Sequence, residues 1–131
     1  MKVFAIDEVK YSSRQGSQNR SYDDPYERTI TYDVYSPNAS TAQLIISTGK
    51  GKKLLTQSIN LQKGLASYEY DMSIDPKQYK DLEKYLNDGK SKEDKVTVER
   101  ADNGKMYLQK GEYMLKIEMA GKTSEVRFVI K

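Results

Sequence analysis

The chain of 131 residues contains no cysteine and no histidine. The lack of cysteine excludes disulfides, thiol nucleophiles and thiolate metal sites. The lack of histidine removes the commonest general base, the commonest metal ligand and the side chain that changes charge near neutral pH. Catalysis would have to rest on carboxylates, lysine, tyrosine or serine. We therefore expect no enzymatic activity, no bound metal and no other cofactor.

Large aromatic residues other than tyrosine are scarce. The chain has no tryptophan and two phenylalanines, but eleven tyrosines, so tyrosine must supply much of the aromatic core. Apolar residues make up 37% of the chain and charged residues 31%, which is a globular composition on the polar side. A chain of this length fits one domain with one core.

The chain also lacks a concentrated charge of either sign. Its 22 basic and 19 acidic residues are interspersed and give a net charge of +3. Nucleic-acid binding needs a basic face, so we do not expect it. The opening "MKVFAIDEV" has an apolar run of four residues that ends at Asp7, too short for a signal-peptide core or a membrane span. We expect either a cytoplasmic protein or a piece of a longer precursor with Met1 as an added start.

The chain divides near residue 28. Val3 to Asp7 could form a short strand, and residues 11–27 are rich in Ser, Gln, Asn and Asp without periodic apolar residues. Such a polar segment is typical of a linker or long loop. We predict an N-terminal strand and polar linker over residues 1–27 and an ordered domain over residues 28–131.

Four segments between residues 28 and 72 alternate apolar and polar residues with a period of two, separated by Gly, Asn or Ser turns. This pattern indicates half-buried strands of an antiparallel sandwich or barrel. The residues predicted to face the core are Ile30, Tyr32, Val34, Leu44, Ile46, Leu55, Ile59, Leu61, Ala66, Tyr68, Tyr70 and Met72.

A helix interrupts the strands. Asp75 followed by Pro76 is an N-cap with proline at the first helical position, and apolar residues then recur at helical spacing until Asp88-Gly89. We predict a helical insertion over about residues 75–88. "VTVER" and "MYL", on either side of Asn103-Gly104, predict a short hairpin after it.

The last two strands have the clearest pattern. Inward positions are predicted at Tyr113, Leu115, Ile117 and Met119, then at Val126, Phe128 and Ile130 after a turn at residues 120–122. With about seven strands and one helix, the sequence predicts a mainly β protein, an antiparallel β-sandwich with one inserted α-helix.

Candidate ligand-binding residues are few. Asp23, Asp24 and Glu27 could ligate a hard cation, but their spacing matches no EF-hand loop and they read as ordinary loop residues. Tyrosines at 68 and 70 share the face predicted to be core. Tyr11, Tyr22 and Tyr26 lie in the polar segment and are the better candidates for stacking on a sugar, although such tyrosines commonly just anchor a loop.

Four stretches together resemble a known layout: "TYDV" at residues 31–34, "LIISTGK" at 44–50, "KGLASYEYDM" at 63–72 and "KGEYMLKIEMAGK" at 110–122. They are similar to the immunoglobulin-like or fibronectin-III-like sandwich at the C-terminus of secreted BNR-repeat and sortilin-type β-propeller proteins of Bacteroidetes, and to the related Ig-like domain of the hook-capping protein. Tyr70 stands where that family usually has tryptophan, and the insertion over 75–88 has no counterpart in the pattern.

The resemblance implies a non-catalytic spacer or interaction module at the end of a larger secreted or cell-envelope protein. Its partner would be the preceding domain of the same polypeptide, such as a β-propeller, and the chain would be a fragment without its signal peptide. Two alternatives stay open. One is a carbohydrate-binding module that holds a glycan with Tyr11, Tyr22 and Tyr26; the other is a type IX secretion sorting domain, echoed by Gly111-Glu112-Tyr113 and the terminal lysine.

Overall fold

The structure is a computed structural model, which describes residues 2–6, 29–89, 98 and 104–131. Its strands are β1 (Lys2–Val3), β2 (Ile30–Ser36), β3 (Ser40–Thr48), β4 (Lys53–Leu61), β5 (Gly64–Tyr70), β6 (Ser73–Ile74), β7 (Met106–Tyr107), β8 (Gly111–Met119) and β9 (Lys122–Ile130). Between β6 and β7, a 3-10 turn over Pro76–Gln78 leads into helix α1 (Tyr79–Asn87).

Seven of these strands form two antiparallel sheets. One sheet has the order β1-β2-β5 and the other the order β4-β3-β8-β9, while β6 and β7 pair with each other. The chain moves from the first sheet to the second after β2, returns after β4, and crosses again after β5. The predicted class, a mainly β antiparallel sandwich with one inserted helix, is confirmed.

Both sheets contribute to a single hydrophobic core. The alternation predicted for β2 and β8 is the one observed, because their inward residues up to Ile117 are almost fully buried and their outward residues are not. Met119, predicted inward at the end of β8, is only partly buried. Tyrosine supplies much of the aromatic packing, as the composition requires. The largest fully buried side chains include Tyr32, Tyr70 and Tyr113, and the Tyr113 ring lies 5.7 Å from that of Phe128.

Strand β4 differs from the prediction at its start. Leu61 is buried as expected, but Leu55 and Ile59 are only partly buried. For Leu55 the reason is a register shift: Leu55 pairs with Ile46 while Lys53 pairs with Ser47, which leaves Leu54 between them without a partner. A bulge of this kind re-aims a side chain, and here Leu54 takes the fully buried position.

The segment between β5 and β8 contains the predicted helix. The Asp75 side chain accepts a hydrogen bond from the Lys77 amide at 3.0 Å, so the predicted N-cap is confirmed. The first turn is 3-10 rather than α-helical. Strand β7 pairs with β6; its predicted hairpin partner, residues 96–100, lies outside the described residues except for Val98, which is buried.

A side-chain hydrogen bond closes the turn that precedes strand β8. The Tyr113 hydroxyl donates to the Gln109 carbonyl at 2.7 Å. Between them, Gly111 has φ +153, a backbone conformation that favours glycine, and a Cβ there would lie 3.5 Å from the Tyr113 hydroxyl oxygen. A tyrosine near the start of this strand that bonds the backbone a few residues upstream is a tyrosine corner.

Helix α1 is fastened to the end of the sandwich at the β3–β4 turn. Leu82 is fully buried, and the Tyr85 hydroxyl donates to the Glu112 carbonyl at 2.8 Å. The same carbonyl accepts from the Gly49 amide at 3.0 Å. Three elements, α1, the β3–β4 turn and β8, therefore meet at one backbone oxygen.

Candidate interaction surface

The large hydrophobic side chains that are exposed among the described residues all lie on the outer face of the three-stranded sheet. They are Phe4 at 39% exposure, Tyr35 at 46% and Leu65 at 66%. Scattered exposed apolar residues are ordinary, but a cluster of them on one face marks an interaction surface. We call these three side chains the apolar face.

The sheet register places the three residues next to one another. Tyr35 lies opposite Lys2 on one side and opposite Leu65 on the other. The Phe4 amide donates to the Asp33 carbonyl at 3.0 Å, so Phe4 is beside the residue two positions before Tyr35. Side chains two residues apart on neighbouring strands are within reach of an aromatic ring. The three side chains thus form one patch.

Polar groups surround this patch. The Lys2 ammonium lies 5.2 Å from the centre of the Phe4 ring, a distance that permits a cation–π contact. Ser67 donates a hydrogen bond of 2.5 Å to the Asp33 carboxylate. An apolar centre with a polar rim is the usual composition of a protein–protein contact.

The apolar face was not predicted from the sequence, although the sequence contains a signal for it. Tyr35 lies an odd number of residues from the core residues of β2, and Leu65 lies an odd number of residues from those of β5. A strict period of two therefore assigns both side chains to the outside. The register that brings them together is not contained in either strand alone.

The predicted sugar-binding tyrosines, Tyr11, Tyr22 and Tyr26, lie outside the described residues. The carboxylates considered for a cation, at positions 23, 24 and 27, lie outside them too. Within the described residues, no three or more His, Cys, Asp or Glu side chains come together as metal ligands. No helix within them has the length and apolarity needed to cross a membrane.

The tyrosines assigned to the core are confirmed there. Tyr70 is buried and donates to the Ser73 carbonyl at 2.6 Å. Tyr68 is partly buried and stacks on Tyr32, with 5.8 Å between the ring centres. Burial raises the pKa of Tyr32 to about 12 and raises the pKa of Tyr70 as well. These two hydroxyls are therefore neutral at physiological pH.

The basic β3–β4 turn is occupied by internal contacts. The Lys50 and Lys52 amides both donate to the Thr48 hydroxyl, at 3.3 and 3.2 Å, and the Gly51 amide donates to the Thr48 carbonyl at 2.9 Å. The Lys50 ammonium pairs with Asp88 after the helix, and this hydrogen bond raises the lysine pKa. The turn holds the helix rather than offering its amides to an anion.

Fold and surface together define an antiparallel β-sandwich with a helical insertion and an apolar outer face. No protein-family model matches the chain, and no curated protein matches it. Among solved structures, it is similar to part of a β-glucosidase from Erythrobacter marinus, with a TM-score of 0.41 and 12% identity. The match covers 98% of this chain and 15% of that enzyme. A likeness this weak carries no argument about activity.

Proposed function

We propose that the chain is a non-catalytic accessory module with an Ig-like or fibronectin-III-like sandwich. In this proposal it belongs to a larger secreted or cell-envelope bacterial protein and packs against the preceding domain of the same polypeptide. The observation that carries the proposal is the apolar face formed by Phe4, Tyr35 and Leu65. The tyrosine corner and the sheets of three and four strands support the Ig-like assignment.

The position of the apolar face supports this choice of partner. Strand β1 is part of the same sheet, and Lys2 lies directly opposite Tyr35. A domain joined before β1 would therefore emerge beside the patch. Covering Leu65, which is 66% exposed, would contribute about 1–2 kcal/mol to the contact. This contribution suits a domain interface that is held together by a covalent link.

Hydrogen exchange can compare the apolar face in the whole protein with the apolar face in the isolated chain. The natural reading frame that contains these residues would be expressed whole, and its amide exchange compared with that of the 131-residue chain. We expect slower exchange in residues 33–36 and 64–67 of the whole protein, because docking excludes water from the apolar face. Residues 122–130, on β9 of the other sheet, serve as the internal control.

Substitution tests the same contact. In the whole protein, Leu65→Ser should return exchange in residues 33–36 to the rate of the isolated chain, whereas Thr123→Ser on β9 should not. Equal exchange in the whole protein and the isolated chain would contradict the docking. A reading frame limited to these residues would contradict a partner domain in the same polypeptide.

A further inference from the structure

The four-stranded sheet has two edge strands, β4 and β9. They differ in how they are protected against pairing with a strand of another chain. An edge strand presents unpaired N–H and C=O groups, and charged side chains along it usually prevent association. On β9 this protection is present, with Lys122, Glu125 and Arg127. On β4 it is confined to Lys53 at the first residue, because the nine residues between Lys53 and Lys63 carry no charge in a chain that is 31% charged.

Most of the β4 edge is also accessible. Thr56, Gln57, Ser58 and Asn60 are all exposed. At the start of the strand, by contrast, the Asp75 amide donates to the Leu54 carbonyl at 2.9 Å. The helical insertion therefore occupies the first residues of this edge, and no strand among the described residues pairs with it from Leu55 onward.

We propose that a second copy of this chain pairs with β4, so that the two four-stranded sheets join into one across a two-fold axis. Antiparallel pairing of identical strands about such an axis sets one residue opposite itself. With Gln57 at the axis, Leu55 of each copy lies opposite Ile59 of the other, and Thr56 lies opposite Ser58. Leu55 and Ile59 are both only partly buried in the monomer.

Other registers are less favourable. With Ser58 at the axis, Lys53 would face Lys63, and like charges directly opposite each other destabilise a strand pair. With Thr56 at the axis, Leu55 would face Gln57 and Leu54 would face Ser58, so apolar residues would lie opposite polar ones. Of these three registers, the one centred on Gln57 sets the two partly buried apolar residues, Leu55 and Ile59, opposite each other and keeps the two lysines apart.

The contact is small, so the association should be weak. Five residue pairs bury less than the roughly 1,200 Å² of a standard interface, and we expect dimers at concentrations of about 0.1–1 mM. Sedimentation equilibrium measures this directly. The weight-average mass of the full chain should rise from 15.0 kDa toward twice that value across this range.

Charge substitution at the axis tests the register. Gln57→Lys and Gln57→Glu each place like charges opposite one another and should each weaken dimerisation, by up to about fivefold. An equimolar mixture of the two variants pairs opposite charges and should restore it. Gln57 is exposed, so neither variant should disturb the fold.

Testing a positive and a negative side chain at position 57 also controls for the charge of Glu69, which lines a cleft of about 450 Å³ together with Gln57. Glu69 attracts a lysine and repels a glutamate at position 57, so its effect has opposite signs in the two variants. The like charges at position 57 of the two copies, by contrast, weaken dimerisation of both variants. Thr123→Lys, at an exposed site on β9, is the matched control and should leave the mass unchanged. A chain that stays monomeric to about 1 mM would overturn the proposal. The proposal would also be overturned if neither variant at position 57 weakened the dimer, or if Thr123→Lys were the one variant that did.

Discussion

Replacing Gly49 by alanine should loosen the attachment of helix α1 to the sandwich. A Cβ at this position would lie 2.7 Å from the Tyr85 hydroxyl and 3.2 Å from the Glu112 carbonyl oxygen. The first distance is too short for any real contact, so the tyrosine must move. Its hydrogen bond to Glu112, 2.8 Å long, would then be lost.

The size of the effect follows from these contacts. Losing one hydrogen bond costs about 0.5–1.5 kcal/mol of unfolding free energy, and crowding the Glu112 carbonyl adds about 1 kcal/mol, the low end for overpacking. Alanine lowers the entropy of the unfolded chain, which offsets about 0.4–1 kcal/mol. We expect Gly49→Ala to lower the unfolding free energy by about 0.5–2 kcal/mol.

A double-mutant cycle with Tyr85→Phe isolates the clash. Without the hydroxyl, the hydrogen bond is already absent and the Cβ meets only the carbonyl, so Gly49→Ala should cost about 1 kcal/mol less than in the wild-type background. Urea unfolding followed by far-ultraviolet circular dichroism gives the four free energies. Additive effects would refute the reasoning.

Gly51→Ala provides the control for this cycle. Gly51 lies two residues further along the same turn and has φ +93, but a Cβ there would have no atom within 4 Å. Its substitution should destabilise through the left-handed backbone alone, by about 1–2 kcal/mol. That cost should be the same with and without the Tyr85 hydroxyl, so this second cycle should be additive.

Three further predictions concern other sites. Tyr113→Phe should lower the unfolding free energy by about 0.5–1.5 kcal/mol in urea titrations, since it removes the hydrogen bond to the partly buried Gln109 carbonyl; an unchanged midpoint would contradict this. Burial raises the pKa of Tyr32 to about 12 while the unfolded chain ionises near 10, so stability is fully present below pH 10 and falls between about 10 and 12. Tyr32→Phe should make the fall of stability in that range less steep. The purified chain should not hydrolyse chromogenic glycosides; turnover that Glu69→Gln abolished would show an enzyme.

The sequence predicted most of the sandwich because its strands obey simple periodicities. In β2, every second residue from Ile30 to Val34 is apolar, and all of these are buried. The helix was predictable for an equally local reason, since Asp75 and Pro76 form a start signal that needs no distant partner. Local patterns of this kind are visible in a single sequence.

What the sequence could not show depends on contacts between distant segments. Leu54 lies in the core where Leu55 was predicted, because a bulge shifts the register of β4. Since both residues are leucines, their side chains do not indicate which of the two is buried. The place of the helical insertion was unpredictable because it depends on Gly49 and Glu112, which are far from it in sequence. The apolar face required the pairing of β1, β2 and β5, which only the folded sheet provides.

The apolar face and the open edge of β4 belong to different sheets, so their two roles should be separable. Leu65→Ser removes the most exposed apolar side chain from the face but leaves β4 unchanged, and it should abolish docking of a neighbouring domain without altering self-association. Gln57→Lys should do the reverse. The checks are hydrogen exchange of residues 33–36 in the whole protein and sedimentation equilibrium of the isolated chain. If either variant changed both measurements, the two surfaces would be one interface, and the assignment of separate partners to them would be wrong.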